Sequence, residues 1–367
     1  MPDIRLLMTA DAAGGVWTYA LEMARALSAY DVATTLAVLG NAPSESELSQ
    51  ARSISGLDIE LTNLPLDWTA ANASEVADAG DKIADLARRL NVDLVQLNAP
   101  ALAASAAFPA PTIGVFHSCV ATWWEPVHGN VALPPDLAWR AKLTRAGLSR
   151  VDVAVAPSQA LARQAQRIYA LPHMPIVIHN GRSKLGLARH GARDIPVLTA
   201  GRLWDEGKNV AALDRAAEHL PFKICAAGPL TGPNGASVEF DRLDWLGILD
   251  AAGLQDMMAR TAVFVSPALY EPFGLAVLEA AQAGCALVLS DIPTFRELWD
   301  GAALFVAPGD LRALADGLTR LIEDAALRAR FADAAEWRAG QYTMEKSAEK
   351  LVALMRSLLA EPQQRAS

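Results

Sequence analysis

Cysteine is scarce in this chain: Cys119, Cys225 and Cys285 are three residues among 367, far apart and in apolar surroundings. No Cys-x-x-Cys or His-Cys spacing occurs, which excludes the usual zinc and redox motifs. They read as small buried residues of a reducing compartment. The six histidines show no His-x-x-x-His spacing, and no Asp-x-Asp pair occurs anywhere. Neither a zinc site nor a carboxylate-held divalent ion is therefore expected. Positive charge is also short, with 32 Lys and Arg against 41 Asp and Glu and a net charge of −9. The field of such a chain repels nucleic acid and anionic lipid. No apolar run reaches the roughly 18–20 residues of a membrane span. The opening Met1-Pro2-Asp3-Ile4-Arg5 lacks a basic leader before a long apolar stretch, so no secretion signal is expected and the chain is assigned to the cytoplasm.

What is present is enough apolar material for large interiors: 52% of residues are hydrophobic and 20% charged. A chain of this length predicts two domains rather than one. Short apolar runs at 4–8, 34–39, 93–98, 112–116 and 151–156 alternate with helical-period segments at 16–27, 74–90, 135–150 and 158–169. In the first of these helices Val16, Ala20, Met23 and Leu27 share one face, as a helix lying on a sheet requires. Strands apolar on both faces imply a parallel sheet covered on both sides. After a polar, glycine-containing stretch at 179–194, read as a linker, the alternation restarts at 195–200 and continues to 303–307 before helices run to about residue 360. The fold class is α/β, with two doubly wound halves and a polar tail at 362–367. In such sheets ligands bind beyond the carboxyl ends of the strands.

The most specific strand-end feature is Tyr270-Glu271-Pro272-Phe273-Gly274-Leu275-Ala276-Val277-Leu278-Glu279. Two glutamates eight apart also suit a helix with one carboxylate near its start and another in solvent. A hydrolytic pair is disfavoured: eight helical residues rise about 12 Å and turn the side chains about 80° apart, whereas glycosidase carboxyls converge within roughly 5–9.5 Å. Carboxylates separated along one helix suit a ligand with hydroxyls at both ends, such as a hexose and a ribose joined by diphosphate, and Gly274 would let backbone N–H groups approach it. At the end of the second half's first strand, Gly201-Arg202-Leu203-Trp204-Asp205-Glu206-Gly207-Lys208 offers Arg202 and Lys208 to neutralise a departing diphosphate in place of a metal, although both also suit solvated loop charges.

Weaker features lie in the first half. Gly14-Gly15 opens a helix and allows a phosphate to approach, or is simply a turn. His117 closes a strand as Val115-Phe116-His117-Ser118 and either hydrogen-bonds a sugar or is a satisfied structural histidine. Trp123-Trp124-Glu125 offers stacking surface for an acceptor ring or buried aromatics. The basic run Arg140, Lys142, Arg145 and Arg150 spreads around its helix axis and forms no membrane-docking stripe.

Taken together these residues resemble the retaining GT-B glycosyltransferases of family 4 over nearly the whole chain. The resemblance is carried by the Glu-x7-Glu motif at Glu271 and Glu279, with Gly14-Gly15, Phe116-His117, Val155-Ala156-Pro157-Ser158, His179-Asn180-Gly181, Gly201-Arg202 with Lys208, and Trp245-Leu246-Gly247. It implies Rossmann-like domains at 1–183 (acceptor side) and 184–342 (donor side) facing across a cleft, with a final helix in 343–367 crossing back to the first. It further implies that His117, Glu271, Arg202 and Lys208 act in catalysis. Glu271 would hold donor-sugar hydroxyls with the backbone of Phe273, Gly274 and Leu275, and Glu279 the ribose. Arg202 and Lys208 would hold the diphosphate and Gly15 its phosphates, with His117 near the anomeric centre and the backbone near Leu249 on the base.

The activity so implied moves a hexose from a UDP- or GDP-sugar to a hydroxyl acceptor, with no metal and no other cofactor. The acceptor is a glycan, a lipid-linked glycan or a small molecule, and membrane contact arises only if it is a lipid. The chain departs from the family pattern at Ala29-Tyr30-Asp31-Val32, where Gly-His is frequent, and at Ser118, where an acid is frequent. A sugar-nucleotide epimerase, a phosphorylase or a non-catalytic sugar-nucleotide-binding protein would use the same architecture.

Overall fold

The computed structural model describes residues 3–12, 14–183, 193–233 and 235–365, with the helical backbone alone for 361–365. The chain divides into two compact units, 1–181 with 344–367, and 182–343. The stretch read as a linker falls partly outside the described residues, at 184–192.

The first unit runs β1 (Ile4–Asp11), α1 (Gly15–Ser28), β2 (Val32–Leu39), α2 (Glu45–Arg52), β3 (Leu57–Leu61), α3 (Ala73–Leu90), β4 (Leu94–Leu97), β5 (Thr112–Val115), α4 (Val120–His128), α5 (Pro135–Arg150), β6 (Val153–Ala156), α6 (Gln159–Tyr169) and β7 (Ile176–Val177). Its seven strands form one parallel sheet in the order β3-β2-β1-β4-β5-β6-β7. The pleat sorts β1 by parity. Leu6 and Met8 join a core with Trp17, Ala20, Met23 and Leu27 of α1, while Leu7 faces Val76 and Ile83 of α3 on the other side. Both faces are thus buried, which is why β1 and β4 read as continuous apolar runs.

The second unit runs β8 (Ile195–Ala200), α7 (Val210–Ala217), β9 (Ile224–Ala227), β10 (Leu243–Trp245), α8 (Ala251–Arg260), β11 (Thr261–Ser266), α9 (Leu275–Gln282), β12 (Ala286–Ser290), α10 (Pro293–Trp299), β13 (Leu304–Val306), α11 (Leu311–Glu323) and α12 (Ala325–Ala339). Its sheet is also parallel, in the order β10-β9-β8-β11-β12-β13. Leu198, Phe264 and Leu287 pack under α9 and α10, and Val197, Val263 and Val288 under α7 and α11. In both sheets the strand order reverses beside the first strand, between β1 and β4 and between β8 and β11. Such switch points are where the loops diverge and leave room for a ligand.

The last helix, α13 (Met344–Arg365), belongs to the first unit. Met344, Ala348, Leu351, Met355 and Leu358 recur every three or four residues and, with Val352, enter the same core as α1.

Candidate functional site

At the second unit's switch point two loops meet. After β8 the chain turns at Gly201 and forms a single turn of tight helix at Glu206–Lys208, which Asp205 caps by accepting from the Gly207 N–H at 2.9 Å. The Gly207 carbonyl accepts from the Leu269 and Tyr270 N–H groups, 2.8 and 3.2 Å away, and Asn209 Nδ2 donates to the Pro267 carbonyl at 3.0 Å. These bonds lace the loop after β8 to the loop after β11. They bring Lys208 Nζ to 2.5 Å from Glu271 Oε2, with side chains 22% and 11% exposed. Ammonium and carboxylate from positions 63 residues apart therefore form one charged pair beyond the ends of β8 and β11.

Arg202 stands on the same turn, where its Nη2 donates to Asp205 Oδ2 at 2.9 Å and its guanidinium lies 5.7 Å from the Trp204 ring centroid. The pairing fixes its position while leaving the side chain 49% exposed. Close packing behind these turns needs Gly228 at the end of β9, where a Cβ would lie 1.9 Å from the Gly201 carbonyl oxygen.

Glu271 does not share a helix with Glu279, which corrects the expectation of two carboxylates along one continuous helix. Pro272 and the left-handed Gly274 (φ 93°) interrupt the helical geometry, and α9 starts only at Leu275. The helical rise and twist assumed between the two glutamates therefore do not hold. Gly274 caps α9 without any side-chain hydrogen bond, so the first N–H groups of the helix keep their donors unspent on a cap. Phe273 is buried and meets Tyr342 edge-on at 5.7 Å, and Leu275 is partly buried.

Glu279, within α9, is ion-paired: Arg182 Nε lies 2.8 Å from its Oε1. Arg182 was not singled out by sequence reasoning, although His179-Asn180-Gly181 immediately precedes it. It stood inside a stretch read as linker. Its N–H donates to the Tyr342 carbonyl at 3.3 Å, so the first residue of the second unit is tied to the last part of that unit. Leu249 packs partly buried against the core below α9, immediately before the N-cap Asp250 of α8. Nearby Trp245 donates from Nε1 to the Gly228 carbonyl at 2.9 Å, and Ile248 is 74% exposed.

The first unit gathers its own strand ends. Gly15 is the exposed first residue of α1, and its N-cap Gly14 provides no side-chain hydrogen bond. Ala13, in the same loop, lies outside the described residues. His117, just past β5, is partly buried, and its Nε2 lies 3.0 Å from Asn98 Oδ1 just past β4. The Tyr19 ring meets the imidazole edge-on at 4.7 Å. Burial pushes the imidazole down to about 4, so it is neutral at pH 7. Asn98, another residue sequence reasoning passed over, had one available signal: a polar side chain directly after the apolar run of β4.

The remaining sequence candidates fall elsewhere. Trp123 and Trp124 lie on α4, partly exposed, and both rings contact His128. Arg140 donates to the Asp67 and Ala70 carbonyls and Arg150 to that of Ala103, which ties these cations to neighbouring backbone. Among the described residues no group of three His, Cys, Asp or Glu side chains is placed to hold a metal ion. No helix among them is long and apolar enough to cross a membrane.

Known proteins resemble this chain in sequence and in fold. Residues 13–183 match the family Glycosyltransferase Family 4, and residues 195–324 match Glycosyl transferases group 1. A phosphatidyl-myo-inositol mannosyltransferase of Mycobacterium leprae (strain TN) is 29% identical over 226 residues, 60% of this chain and 56% of that protein. The chain thus spans little more than half the length of the curated relatives it matches. Sucrose-phosphate synthase from Thermosynechococcus elongatus superposes with a TM-score of 0.78 over 98% of this chain and 100% of its own, at 18% identity. The Anabaena protein HepE in complex with UDP-glucose superposes with a TM-score of 0.75 over 96% and 100%, at 20% identity. At these identities the structures speak for the fold. With both units matched in sequence, and two doubly wound parallel sheets carrying them, the chain belongs to the family 4 glycosyltransferases of the GT-B fold.

Proposed function

We propose that the chain transfers a hexose from a nucleotide-diphosphate sugar to a hydroxyl acceptor, with retention at the anomeric carbon and without a metal. The observation that carries this reading is the Lys208–Glu271 pair at the switch point of the second sheet. A glycosyl phosphate places its anionic phosphate next to a ring bearing hydroxyls. A cation touching a carboxylate presents complementary groups at that same spacing: Lys208 for the phosphate, Glu271 for the hydroxyls. Arg202, half-exposed on the same turn, supplies the second positive charge, and the uncapped start of α9 supplies N–H donors. As the bond between anomeric carbon and phosphate oxygen breaks, these groups take up the charge developing on the diphosphate. The new bond forms from the acceptor oxygen to the same carbon, and the acceptor's proton passes to the departing phosphate oxygen on the same face.

Glu279 binds the ribose, Leu249 lies against the base, Gly15 faces the phosphates, and His117 hydrogen-bonds near the anomeric centre. A UDP-sugar is supported by the UDP-glucose bound to HepE, and a mannosyl donor by the M. leprae relative, a mannosyltransferase. That relative's name also supports a lipid-linked acceptor, in which case the chain works at a membrane surface. Cys119, Cys225 and Cys285 are free thiols, which suits the reducing cytoplasm, where we place the reaction.

The test is a thermal-shift panel of UDP- and GDP-sugars in EDTA, because a ligand of the native state raises its melting temperature. Stabilisation by one sugar nucleotide, followed by transfer with the anomeric configuration kept in the product, is the expected result. Absence of any stabilisation, or turnover abolished by the chelator, would refute the reading. An epimerase would instead convert the donor with no acceptor present.

A further inference from the structure

Behind His117 stands a row of buried polar groups that the proposed reaction does not use directly. Asn98 is 7% exposed, and its amide orientation is dictated by its surroundings. Its Nδ2 lies 2.7 Å from the Thr9 carbonyl oxygen, a group that can only accept, so the amide nitrogen must face Thr9 and the oxygen must face His117. Asn98 N–H donates to Thr9 Oγ1 at 3.0 Å, which holds the residue against β1 from the backbone side as well. Gln96, fully buried in β4, donates from Nε2 to the same Asn98 oxygen at 3.2 Å and to the Tyr19 hydroxyl at 3.4 Å. Asn98 Oδ1 is thus an acceptor surrounded by donors, and His117 Nε2, 3.0 Å away, can bond to it only as N–H.

In a neutral imidazole one nitrogen carries the proton and the other a lone pair. We infer that Asn98 is a positioning residue that fixes His117 as the Nε2–H tautomer, leaving Nδ1 as a hydrogen-bond acceptor. Among the described residues no protein group donates to Nδ1. Its partner is then a hydroxyl of the bound sugar or of the acceptor, a step that rests on the reading of this chain as a glycosyltransferase. Tyr19 packs edge-on against the ring, with centroids 4.7 Å apart. Burial keeps the ring from gaining a second proton and losing the lone pair.

The assignment is tested in the full chain with 15N-labelled histidine, reading the His117 ring nitrogens by NMR at pH 7 and assigning them by their loss in His117→Gln. The wild type is expected to show a protonated Nε2 and a bare Nδ1. Asn98→Ala should give a mixture of tautomers, and Asn98→Asp, whose carboxylate also accepts, should restore the Nε2–H form and raise the ring's pKa. A wild-type ring protonated at Nδ1, or an unchanged pure tautomer in a folded Asn98→Ala, overturns the inference. Should Asn98→Ala fail to fold, a wild-type-like ring pKa in Asn98→Asp overturns it equally. A second arm adds UDP-glucose or GDP-mannose, whichever raises the melting temperature more. Movement of the Nδ1 resonance supports the hydroxyl contact, and a stationary resonance at saturation overturns it. If neither nucleotide raises the melting temperature, it is the glycosyltransferase reading that fails, and the tautomer measurement is unaffected.

Discussion

Arg182 Nε and Glu279 Oε1 are 2.8 Å apart in side chains only 10% and 14% exposed, so a proposed ribose-binding carboxylate is held by a cation at the first residue of its own unit. Removing one member of a buried pair strands the other's charge, at a cost of about 3 kcal/mol. Arg182→Leu should therefore lower stability in urea by about that amount. Arg182→Leu combined with Glu279→Leu should recover most of it, and a double variant no more stable than the single one would show that the pair is not the cause.

Glu271→Gln and Lys208→Ala each remove a group expected to bind more tightly as charge develops. Each should lower kcat by about 100-fold or more with the far-UV spectrum unchanged. Because the two side chains touch, their effects should fall well short of additive in the double variant. Near-normal turnover in both purified single variants would remove them from the site.

His117 makes stability depend on acid. Its imidazole accepts a proton near 6.5 in the unfolded chain but only near 4 in the folded one. Between these values the unfolded state binds more protons, so stability rises with pH and is lost as pH falls from about 6.5 toward 4. The full loss is at most about 3 kcal/mol. His117→Gln should flatten that limb of the stability profile and leave the profile above pH 7 unaltered. An equally steep acid limb in the variant would assign it to other groups.

Gly228→Ala should be strongly destabilising. The residue combines φ of +140° with a Cβ position 1.9 Å from the Gly201 carbonyl oxygen, so the turn bearing Arg202 and Lys208 must move. Melting temperature and donor affinity should fall together. A variant that keeps its melting temperature would show that the turn yields freely.

Periodicity exposed most of the fold because both sheets are buried on both faces, and β1, β4, β8, β11 and β12 read as plain apolar runs. It missed α2, β3, α4 and α10, and for the first two the reason is local. Helix α2 buries only Leu48 and Ala51, and β3 is an edge strand with Leu57 alone buried. Residue types at strand ends singled out Lys208 and Glu271 in the second unit and His117 in the first. What spacing did not reveal was pairing across the chain: Arg182 with Glu279, Asn98 with His117. Nor did it show that Pro272 and Gly274 delay α9 past Glu271. The two pairings depend on which loops the topology brings together, information carried by strand order and not by any local window, whereas the late start of α9 is written locally in Pro272 and Gly274.

The first unit's interior is finished by residues that follow the whole second unit in sequence, since Met344, Leu351, Val352 and Met355 sit among side chains of α1 and β1. During synthesis the amino-terminal sheet must wait, one apolar face incompletely covered, while the whole of 182–343 emerges and folds as an uninterrupted segment. Vectorial synthesis thus sets completion of the first unit's core after residues 182–343 have been made.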